Sequence, residues 1–410
     1  MSLRNNAVEA VRAVTGLIPD PLLARIMPGT LGWDQGRMQV ASAPEAEVRL
    51  LIAPTNSAGQ AHQWAHAVES HLPGVGAVNY MTSNERTDRF GFPSDVTVPD
   101  SGYLFAHGWQ SRQRRAIVEG FTHVLVESGR HLFGPRPWRS PLDVLDDVAA
   151  RGVHVGLLWH GSDIRVPSAH AAWETDSPFG ARGRYPRAAT ATLQANAERR
   201  RQMILDSAYP SFVSTPGLLD VPRSQWLPVV VDPSRWRTDS EPLRHDVPVV
   251  AYVPSNSAMK GDESVDSQLE ELAAEGLIRY TKLEGIASAD MPAVYGSADI
   301  VLDQFRLGDY GVAACEAMAA GRVVIGHVHE DVRAAVRVHT GIDLPIVESR
   351  FDRVGETIRG ILADPHSARR LAADGRRFVE QVHDGRRSAA VLATFLGVTD
   401  PADGKENRGV

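Results

Sequence analysis

Short apolar runs alternate with longer amphipathic segments along most of this chain, and this alternation restricts its possible folds more than any other feature. Residues 48–53 read VRLLIA, 123–126 read HVLV and 154–159 read HVGLLW, with helix-length segments between them. Runs that are apolar on both faces are typical of strands buried inside a parallel sheet. The pattern therefore predicts an α/β fold in which helices cover parallel sheets.

The alternation occurs in two sets, and each set predicts one doubly wound parallel sheet. The apolar runs of the first set span residues 48–53, 76–80, 123–126, 154–159 and 211–214, and those of the second set span 249–253, 278–281, 300–302 and 323–325. Prolines interrupt the periodicity over 226–247, and we place the join there. We expect four segments: a helical or irregular extension over 1–45, a first α/β domain over 46–235, a second over 236–384, and a C-terminal helix with a polar tail over 385–410 that returns to the first domain.

Composition excludes several classes of protein. The 410 residues include 43 basic and 50 acidic side chains, a net charge of −7 that provides no positive field for nucleic acid, so we expect no nucleic-acid partner. The single cysteine, Cys315, cannot form an internal disulfide, and Arg4, Glu9 and Arg12 break up any signal-peptide core. No apolar run approaches the ~20 residues of a spanning helix. We expect a cytoplasmic protein, with any membrane contact peripheral and at the inner face.

Ligands of parallel sheets bind at the carboxyl ends of the strands, so the residues after each apolar run are candidates for chemistry. The first run is followed by PTNSAGQ over 54–60, whose small residues let backbone N–H groups and a helix N-terminus approach a phosphate or sugar hydroxyls. Gly59 and Gln60 are the candidates here. The alternative is a tight strand-to-helix turn that needs a glycine, and the segment is not a GxGxxG fingerprint.

The run that ends at Trp159 is followed by an imidazole, a hydroxyl and a carboxylate, in the sequence HGSD over 160–163. His160 can donate a hydrogen bond or carry a proton near neutral pH, and Asp163 can orient it or a substrate hydroxyl. The alternative is a helix N-cap formed by Ser162 or Asp163, with His160 in a structural role.

Lysine is rare in this chain, at positions 260, 282 and 405 only. Lys260 belongs to the segment PSNSAMKG, over 254–261, between a predicted strand and a predicted helix. A flexible lysine beside small residues at a helix N-terminus suits a diphosphate. The alternative is a solvated surface lysine.

The segment 308–321, GDYGVAACEAMAAG, lies between two predicted strands. Gly311 opens a helix of small residues whose N-terminus can approach an anion. Glu316 is the only charged residue on that helix, and a ribose diol is one candidate partner for its carboxylate. The alternative is a Glu316 that faces solvent or pairs with an arginine.

These residues carry a family resemblance. The motifs YG at 310–311, EAMAAG at 316–321, KG at 260–261, HGSD at 160–163 and LPVVVD at 227–232 resemble the group-1 retaining glycosyltransferases of the GT-B fold, over roughly residues 46–396. The resemblance implies two Rossmann-like domains that face each other across a cleft. It implies an acceptor on the first domain, a nucleoside-diphosphate sugar on the second as co-substrate, and no metal or other cofactor.

Transferred to matching positions, the resemblance assigns three residues to catalysis: Glu316 holds the ribose hydroxyls, Lys260 the diphosphate, and His160 the donor sugar near the reaction centre. The resemblance also assigns the phosphates or donor sugar to the backbone amides of Tyr310 and Gly311. The remaining candidates are Ser255 and Asn256 on the donor side, and Gly59, Gln60 and Asp163 on the acceptor side.

Two positions depart from the family pattern. The first member of the family's usual acidic pair falls on Gly308, and Asp309 is one position late. Either the loop shifts so that Asp309 reaches the donor sugar, or that contact is absent. The family's usual arginine before the lysine falls on Ser255, and Arg306 is our candidate for the lost charge.

We therefore expect transfer of a hexosyl group to a hydroxyl of a glycan, glycolipid or small molecule, in polysaccharide biosynthesis, with the retention that the resemblance implies. The alternatives are a noncatalytic GT-B-like partner subunit, favoured by the two departures, and a sugar-nucleotide epimerase or hydrolase. The long connections 82–101 and 164–185 carry arginines and aromatic residues that suit a sugar or an anionic lipid-linked acceptor. Disorder explains 168–185 equally well.

Overall fold

A computed structural model describes residues 38–137, 139–253, 263–283 and 285–399, together with residues 14, 15, 18, 19, 22 and 25. Most of the predicted N-terminal extension and the polar tail lie outside the described residues. The segment with Ser255, Asn256 and Lys260 lies outside them too.

Twelve strands in the described part of the chain form two sheets. The strands of the first sheet are β1 Val48–Ala53, β2 Val75–Ser83, β3 Val96–Pro99, β4 His123–Glu127, β5 His154–Trp159, β6 Ser211–Val213 and β7 Ser224–Trp226. Those of the second are β8 Val249–Tyr252, β9 Arg279–Lys282, β10 Ile300–Leu302, β11 Val323–Gly326 and β12 Val347–Glu348. All residues of β4, β10 and β11 are buried, as the continuous apolar runs predict.

Sixteen α-helices cover or connect these strands within the described residues. They are α1 Gln60–His71, α2 Glu85–Asp88, α3 Asp100–Phe105, α4 His107–Gly120, α5 Pro141–Ala149, α6 Gly161–Ile164, α7 Pro167–Trp173, α8 Arg187–Asp206, α9 Pro233–Trp236, α10 Glu263–Ala274, α11 Met291–Ser297, α12 Val312–Ala319, α13 Glu330–Thr340, α14 Val354–Ala363, α15 Pro365–Val382 and α16 Arg386–Leu396. Side-chain caps explain several starts: Ser140 forms a capping box at α5, and Asp364 accepts from the Ser367 amide at α15.

Strand order identifies where each sheet can bind a ligand. The first sheet has the order β3-β2-β1-β4-β5-β6-β7 and the second has the order β12-β11-β10-β8-β9. The pairs β1–β2, β1–β4, β8–β9 and β8–β10 are all parallel. The order therefore reverses between β1 and β4 in one sheet and between β8 and β10 in the other. The carboxyl ends of these strands form topological switch points, where doubly wound sheets bind ligands.

The contacts divide the chain into two compact units. The first contains Met1–His160, Gln202–Phe212 and Ala389–Val410, and the second contains Gly161–Arg201 and Val213–Ser388. Within the first, Phe395 of α16 packs edge-to-face against His123 and Phe212. The domain limits expected from the sequence stay predictions. Within the described ranges, no helix combines the length and the apolar character that crossing a bilayer requires.

The two long connections contain more structure than the sequence predicts. Residues 82–101 include α2, β3 and the start of α3, and residues 164–185 include α7. Glu174, Asp176 and Ser177 are all buried. Disorder of 168–185 is therefore the wrong alternative, because polar side chains of a disordered segment stay in water.

Candidate functional site

Glu127 links three strand ends at the switch point of the first sheet. It is the last residue of β4 and is 0% exposed. Its Oε2 accepts hydrogen bonds from the backbone amides of Thr55 (3.0 Å) and Asn56 (2.8 Å), in the loop after β1. Its Oε1 lies 3.0 Å from Nε2 of His160, which follows β5. One buried carboxylate thus joins the predicted histidine to the loop after β1.

The surroundings of Glu127 favour its ionised form. Burial raises its pKa, but the hydrogen bond from His160, the charge of His160 and the two backbone amides outweigh burial and leave the pKa below its ordinary value. Since the carboxylate only accepts, Nε2 of His160 carries the proton between them. The imidazole also stacks on Trp64, with ring centroids 5.9 Å apart. His160 is therefore oriented by a carboxylate and by an aromatic face.

Sequence reasoning missed Glu127. The third apolar run was predicted to end at Val126, and within the first set only the residues after the first and fourth runs were candidates. Applied to β4, the rule that functional side chains follow strands in parallel sheets would have found this carboxylate.

The backbone conformation and the close packing at position 59 require a glycine. Gly59 has a left-handed φ of +76° before α1, and a Cβ there would come within 3.2 Å of Phe92 Cδ1. Asn56 also adopts a left-handed conformation, and its side-chain amide donates to the Pro93 carbonyl at 2.8 Å. Gln60, the first residue of α1, is buried. These contacts account for the glycine as part of a tight turn, and the acceptor-side role of Gly59 and Gln60 stays a prediction.

Asp309 is held inside the second unit, in the loop that follows β10. It is 2% exposed, and its Oδ2 accepts from Arg165 Nη2 (3.0 Å) and Thr215 Oγ1 (2.7 Å). Its Oδ1 accepts from the Tyr310 amide at 3.0 Å. Burial raises the pKa of Asp309 more than Arg165, Thr215 and the amides lower it. In this structure both the Asp309 carboxylate and the Tyr310 amide are engaged within the protein, and their contacts to a donor stay predictions.

The amino end of α12 has open space in front of it. A Cβ added at Gly311 would meet no atom of the described residues within 4 Å, and the φ of Gly311 is an ordinary −129°. Glu316, half-buried further along α12, lies near enough to Tyr295 to help raise the pKa of that buried phenol, after burial itself. The structure thus places Gly311 and Glu316 on one helix at the switch point of the second sheet.

Arg306 and Asp163 are buried, at 3% and 8% exposure. Nη1 of Arg306 donates to the backbone carbonyls of Asp176 and Arg182, each at 3.3 Å, and its guanidinium carbon lies 4.1 Å from the ring centroid of Phe351. Arg306 therefore holds the 164–185 segment in this structure. That Arg306 supplies a positive charge to the donor stays a prediction. The acceptor-side role of Asp163 stays a prediction too.

An ionic cluster built on the buried His327 and Glu174, which the sequence did not reveal, lies at the carboxyl ends of β11 and β12. His327 Nε2 is 2.8 Å from Glu174 Oε2, and its Nδ1 is 2.5 Å from Glu348 Oε1. Arg350 pairs with both Glu174 and Asp176. Burial lowers the pKa of His327, but the two carboxylates raise it to about 9. Burial raises the pKa of Glu174, but His327, a backbone amide and Arg350 lower it to about 2.

The second unit also contains a cavity of about 420 Å³ beside Arg165. Its polar groups come from Arg165, His170, Trp173, Arg201, Asp220 and Asp331. Its apolar lining comes from Val166, Ala169, Pro216, Leu219, Val332 and Ala335. Burial, followed by the charge of Arg165, lowers the pKa of His170 to about 4, so this histidine is neutral at physiological pH. An apolar cleft with a few fixed polar groups is the usual form of a small-molecule site.

The chain matches no protein-family model, and no curated protein matches it. Solved structures resemble it at low sequence identity. The Anabaena protein HepE, in complex with UDP and glucose, is 12% identical over 85% of this chain and 98% of that chain, with a TM-score of 0.55. The sucrose-phosphate synthase of Thermosynechococcus elongatus is 15% identical over 84% and 97%, with a TM-score of 0.51.

An α-glucosyltransferase in complex with UDP and a 13-mer DNA that contains an HMU base is 8% identical over 85% of this chain and 98% of that chain, with a TM-score of 0.56. Identities this low establish a shared fold only. Together with the two parallel sheets, they show that this chain has the GT-B architecture of two Rossmann-like domains.

Proposed function

We propose that this chain is a glycosyltransferase that moves a sugar from a nucleoside-diphosphate sugar to an acceptor hydroxyl. The observation that carries the proposal is the amino end of α12, where Gly311 leaves open space at a switch point and Glu316 follows on the same helix. Helix N-termini attract anions, and a nearby carboxylate suits a ribose diol. The GT-B fold and neighbours solved with UDP or UDP-glucose support a sugar nucleotide as the donor.

The donor is proposed to bind along the second sheet. Glu316 accepts hydrogen bonds from the ribose hydroxyls, and Lys260 supplies a point charge to the diphosphate. Ser255 and Asn256 belong to the same sequence segment as that lysine. The first-turn amides of α12 supply partial positive charge. We propose a uridine nucleotide and a hexosyl group, because the neighbouring structures contain UDP, glucose or UDP-glucose.

In the proposed reaction the bond between the anomeric carbon and the diphosphate oxygen breaks, and the acceptor oxygen bonds to that carbon. The acceptor's hydroxyl proton passes to the departing diphosphate, so the configuration is retained and no carboxylate base is needed. Lys260 and the α12 amides stabilise the charge that develops on the diphosphate, without a metal. His160, oriented by its hydrogen bond to Glu127, contacts the donor sugar near the reacting carbon.

The cavity beside Arg165 is our candidate for acceptor binding. Trp173 offers an aromatic face, and its indole N–H already donates to Asp331 at 2.8 Å. Arg165, 8% exposed and paired with Asp309, lines the same cavity. A sugar ring or an anionic group suits this lining. The proposed acceptors are therefore a glycan, a glycolipid or an anionic small molecule, with polysaccharide synthesis at the cytoplasmic face of a membrane as the setting.

Thermal unfolding with a panel of nucleoside diphosphates and their sugars tests donor binding. A ligand at about 100 times its Kd stabilises a protein by about 2.7 kcal/mol. We expect a shift for one nucleotide in the wild type and in a Lys405→Ala control, and no shift in Glu316→Ala or Lys260→Ala. No shift with any nucleotide in the wild type would contradict the proposal.

A noncatalytic GT-B-like partner subunit is the second candidate. The observation that favours it is the engagement of Asp309 by Arg165 and Thr215, which leaves the family's acidic contact to the donor without a carboxylate in this structure. This candidate predicts donor binding without turnover on any acceptor, and activity that emerges only when a partner protein is added.

A further inference from the structure

Two histidines of α1 and one aspartate of the loop before β3 converge on one point of the first unit. His62 and His66 are four residues apart on one face of the helix, and their ring centroids are 4.2 Å apart. Asp95 Oδ1 lies 3.4 Å from His62 Nδ1 and 3.6 Å from His66 Nε2. One nitrogen from each imidazole and one carboxylate oxygen all lie within 4.8 Å of one another.

The two separations that involve Asp95 match those of atoms bound to one ion. Zinc–nitrogen bonds of about 2.0–2.1 Å at tetrahedral angles place neighbouring ligand atoms about 3.3 Å apart. The distances of 3.4 and 3.6 Å are close to this value and long for direct hydrogen bonds. Nδ1 of His62 makes no well-formed hydrogen bond to any part of the chain that the structure describes, although it is buried. Imidazole nitrogens and a carboxylate oxygen this close need a proton or a cation between them. Burial raises the pKa of Asp95, but both histidines and a backbone amide lower it below its ordinary value. A single metal ion can serve all three atoms at once, whereas one proton bridges only two.

The surrounding groups already hold the three side chains in place. Nδ1 of His66 lies 3.3 Å from Glu69 Oε2, and the other oxygen of Glu69 accepts from the Ala77 amide at 3.1 Å. Metal-bound histidines usually direct their second ring nitrogen to such a carboxylate. Asp95 Oδ2 accepts from the Asn79 amide at 2.8 Å, which directs Oδ1 towards the imidazoles.

We propose that His62, His66 and Asp95 bind a divalent metal ion, with Glu69 orienting His66. Two imidazoles and one carboxylate suit zinc, whereas calcium and magnesium prefer oxygen ligands throughout. His66 is 50% exposed, so water can complete the coordination. The ion joins α1 to the loop whose Phe92 contacts Gly59, and it stabilises that loop. The expectation of metal-free transfer concerns the diphosphate, and this ion has no part in that step.

Zinc titration of the full-length protein, prepared without a histidine tag and freed of metal by a chelator, tests the proposal. Calorimetry measures stoichiometry and affinity, and cobalt absorption reports tetrahedral coordination. We expect one zinc ion per chain and a rise in melting temperature. His66→Gln and Asp95→Asn should each weaken binding by at least tenfold, and Glu69→Gln by about tenfold, the effect usual for an orienting carboxylate.

His71→Gln, on the same helix but outside the cluster, is the matched control and should bind zinc as the wild type does. Circular dichroism of the metal-free variants checks their folding. Because His66 is exposed, we expect His66→Gln to fold, so its zinc affinity can be measured. Absence of zinc binding in the wild type, or equal binding in His66→Gln and His71→Gln, would overturn the proposal.

Discussion

Glu127 and His160 form a hydrogen-bonded pair, Oε1 to Nε2 at 3.0 Å, at the carboxyl ends of the neighbouring strands β4 and β5. The same carboxylate accepts the amides of Thr55 and Asn56 after β1. One carboxylate therefore fixes both the loop after β1 and the orientation of His160 at the switch point of the first sheet. A role in positioning His160 follows, because the carboxylate is fully buried and reaches a ligand only through that imidazole.

Replacing Glu127 by Gln tests this positioning role. Glutamine removes the charge and can turn its amide N–H towards Nε2, which displaces the proton on His160. We expect the free energy of unfolding at pH 7 to fall by roughly 1–3 kcal/mol, and sugar transfer to slow by at least tenfold with donor affinity little changed. Denaturant unfolding and transfer kinetics measure both effects. The exposed Glu119→Gln is the matched control, and equal behaviour of the two variants would contradict the role.

The effect of Glu127 on stability depends on pH. The pKa of Glu127 in the folded protein lies below the ordinary value of 4.5. Its contribution to the free energy of unfolding is therefore complete above pH 4.5 and is lost as pH falls through the folded pKa. The stability gap between wild type and Glu127→Gln should narrow as pH falls from 5 towards the folded pKa of Glu127. Denaturant titrations across this range measure the gap, and a gap that widens in acid would contradict the sign.

His327 gives the opposite dependence. The pKa of His327 is raised from 6.5 to about 9. Its contribution to the free energy of unfolding is therefore complete below pH 6.5 and is lost as pH rises through 9. Its partner Glu174, with a pKa of about 2, contributes fully above pH 4.5 and loses this as pH falls towards 2. His327→Gln should therefore destabilise by roughly 3 kcal/mol at pH 6 and by much less at pH 10. Urea unfolding at both pH values, with exposed His245→Gln as control, checks this.

Two glycines of one loop should respond oppositely to alanine. Gly311 has an ordinary φ, and a Cβ there meets no described atom within 4 Å, so Gly311→Ala should leave stability unchanged or raise it by up to about 1 kcal/mol. The methyl group would occupy the space proposed for the diphosphate, and we expect nucleotide affinity to fall at least tenfold. Gly308 has a φ of +58°, and a Cβ there would lie 2.9 Å from Glu174 Oε2. Gly308→Ala should therefore destabilise by roughly 1–3 kcal/mol.

Thermal unfolding with and without the nucleotide separates these outcomes. Unchanged nucleotide affinity in Gly311→Ala would contradict the proposed position of the diphosphate.

Local patterns predicted most of the fold. The limits of β5 and β10 coincide with the predicted apolar runs: Asp299 and Asp303 bound β10, and His160 follows β5 directly. His160, Gly311 and Glu316 could be found because each lies within or just after a recognisable strand-to-helix segment. Helix α13 and strand β12 were not predicted: β12 has two residues, and a pair that short has no periodicity to recognise.

Long-range pairs could not be predicted. Glu174 and His327 are 153 residues apart, and nothing near either one marks the other as its partner. The spacing of His62 and His66 is visible on a helix, but Asp95 joins them only after β2 has returned the chain to the same edge. A single sequence shows which side chains are chemically suited to a site, but which of them come into contact depends on the tertiary structure.

Variants of Asp309 and Arg165 test two hypotheses for the acidic position: a structural ion pair, or a contact with the donor sugar. Both side chains are buried, so removing one partner leaves the other's charge without compensation. If the pair is structural, Asp309→Asn and Arg165→Gln should each cost roughly 3 kcal/mol, and the double variant should cost less than their sum by about 1–3 kcal/mol. Denaturant unfolding at pH 7 measures this coupling. If Asp309 also contacts the donor sugar, Asp309→Asn should in addition lose donor affinity, which nucleotide-sugar titration would detect.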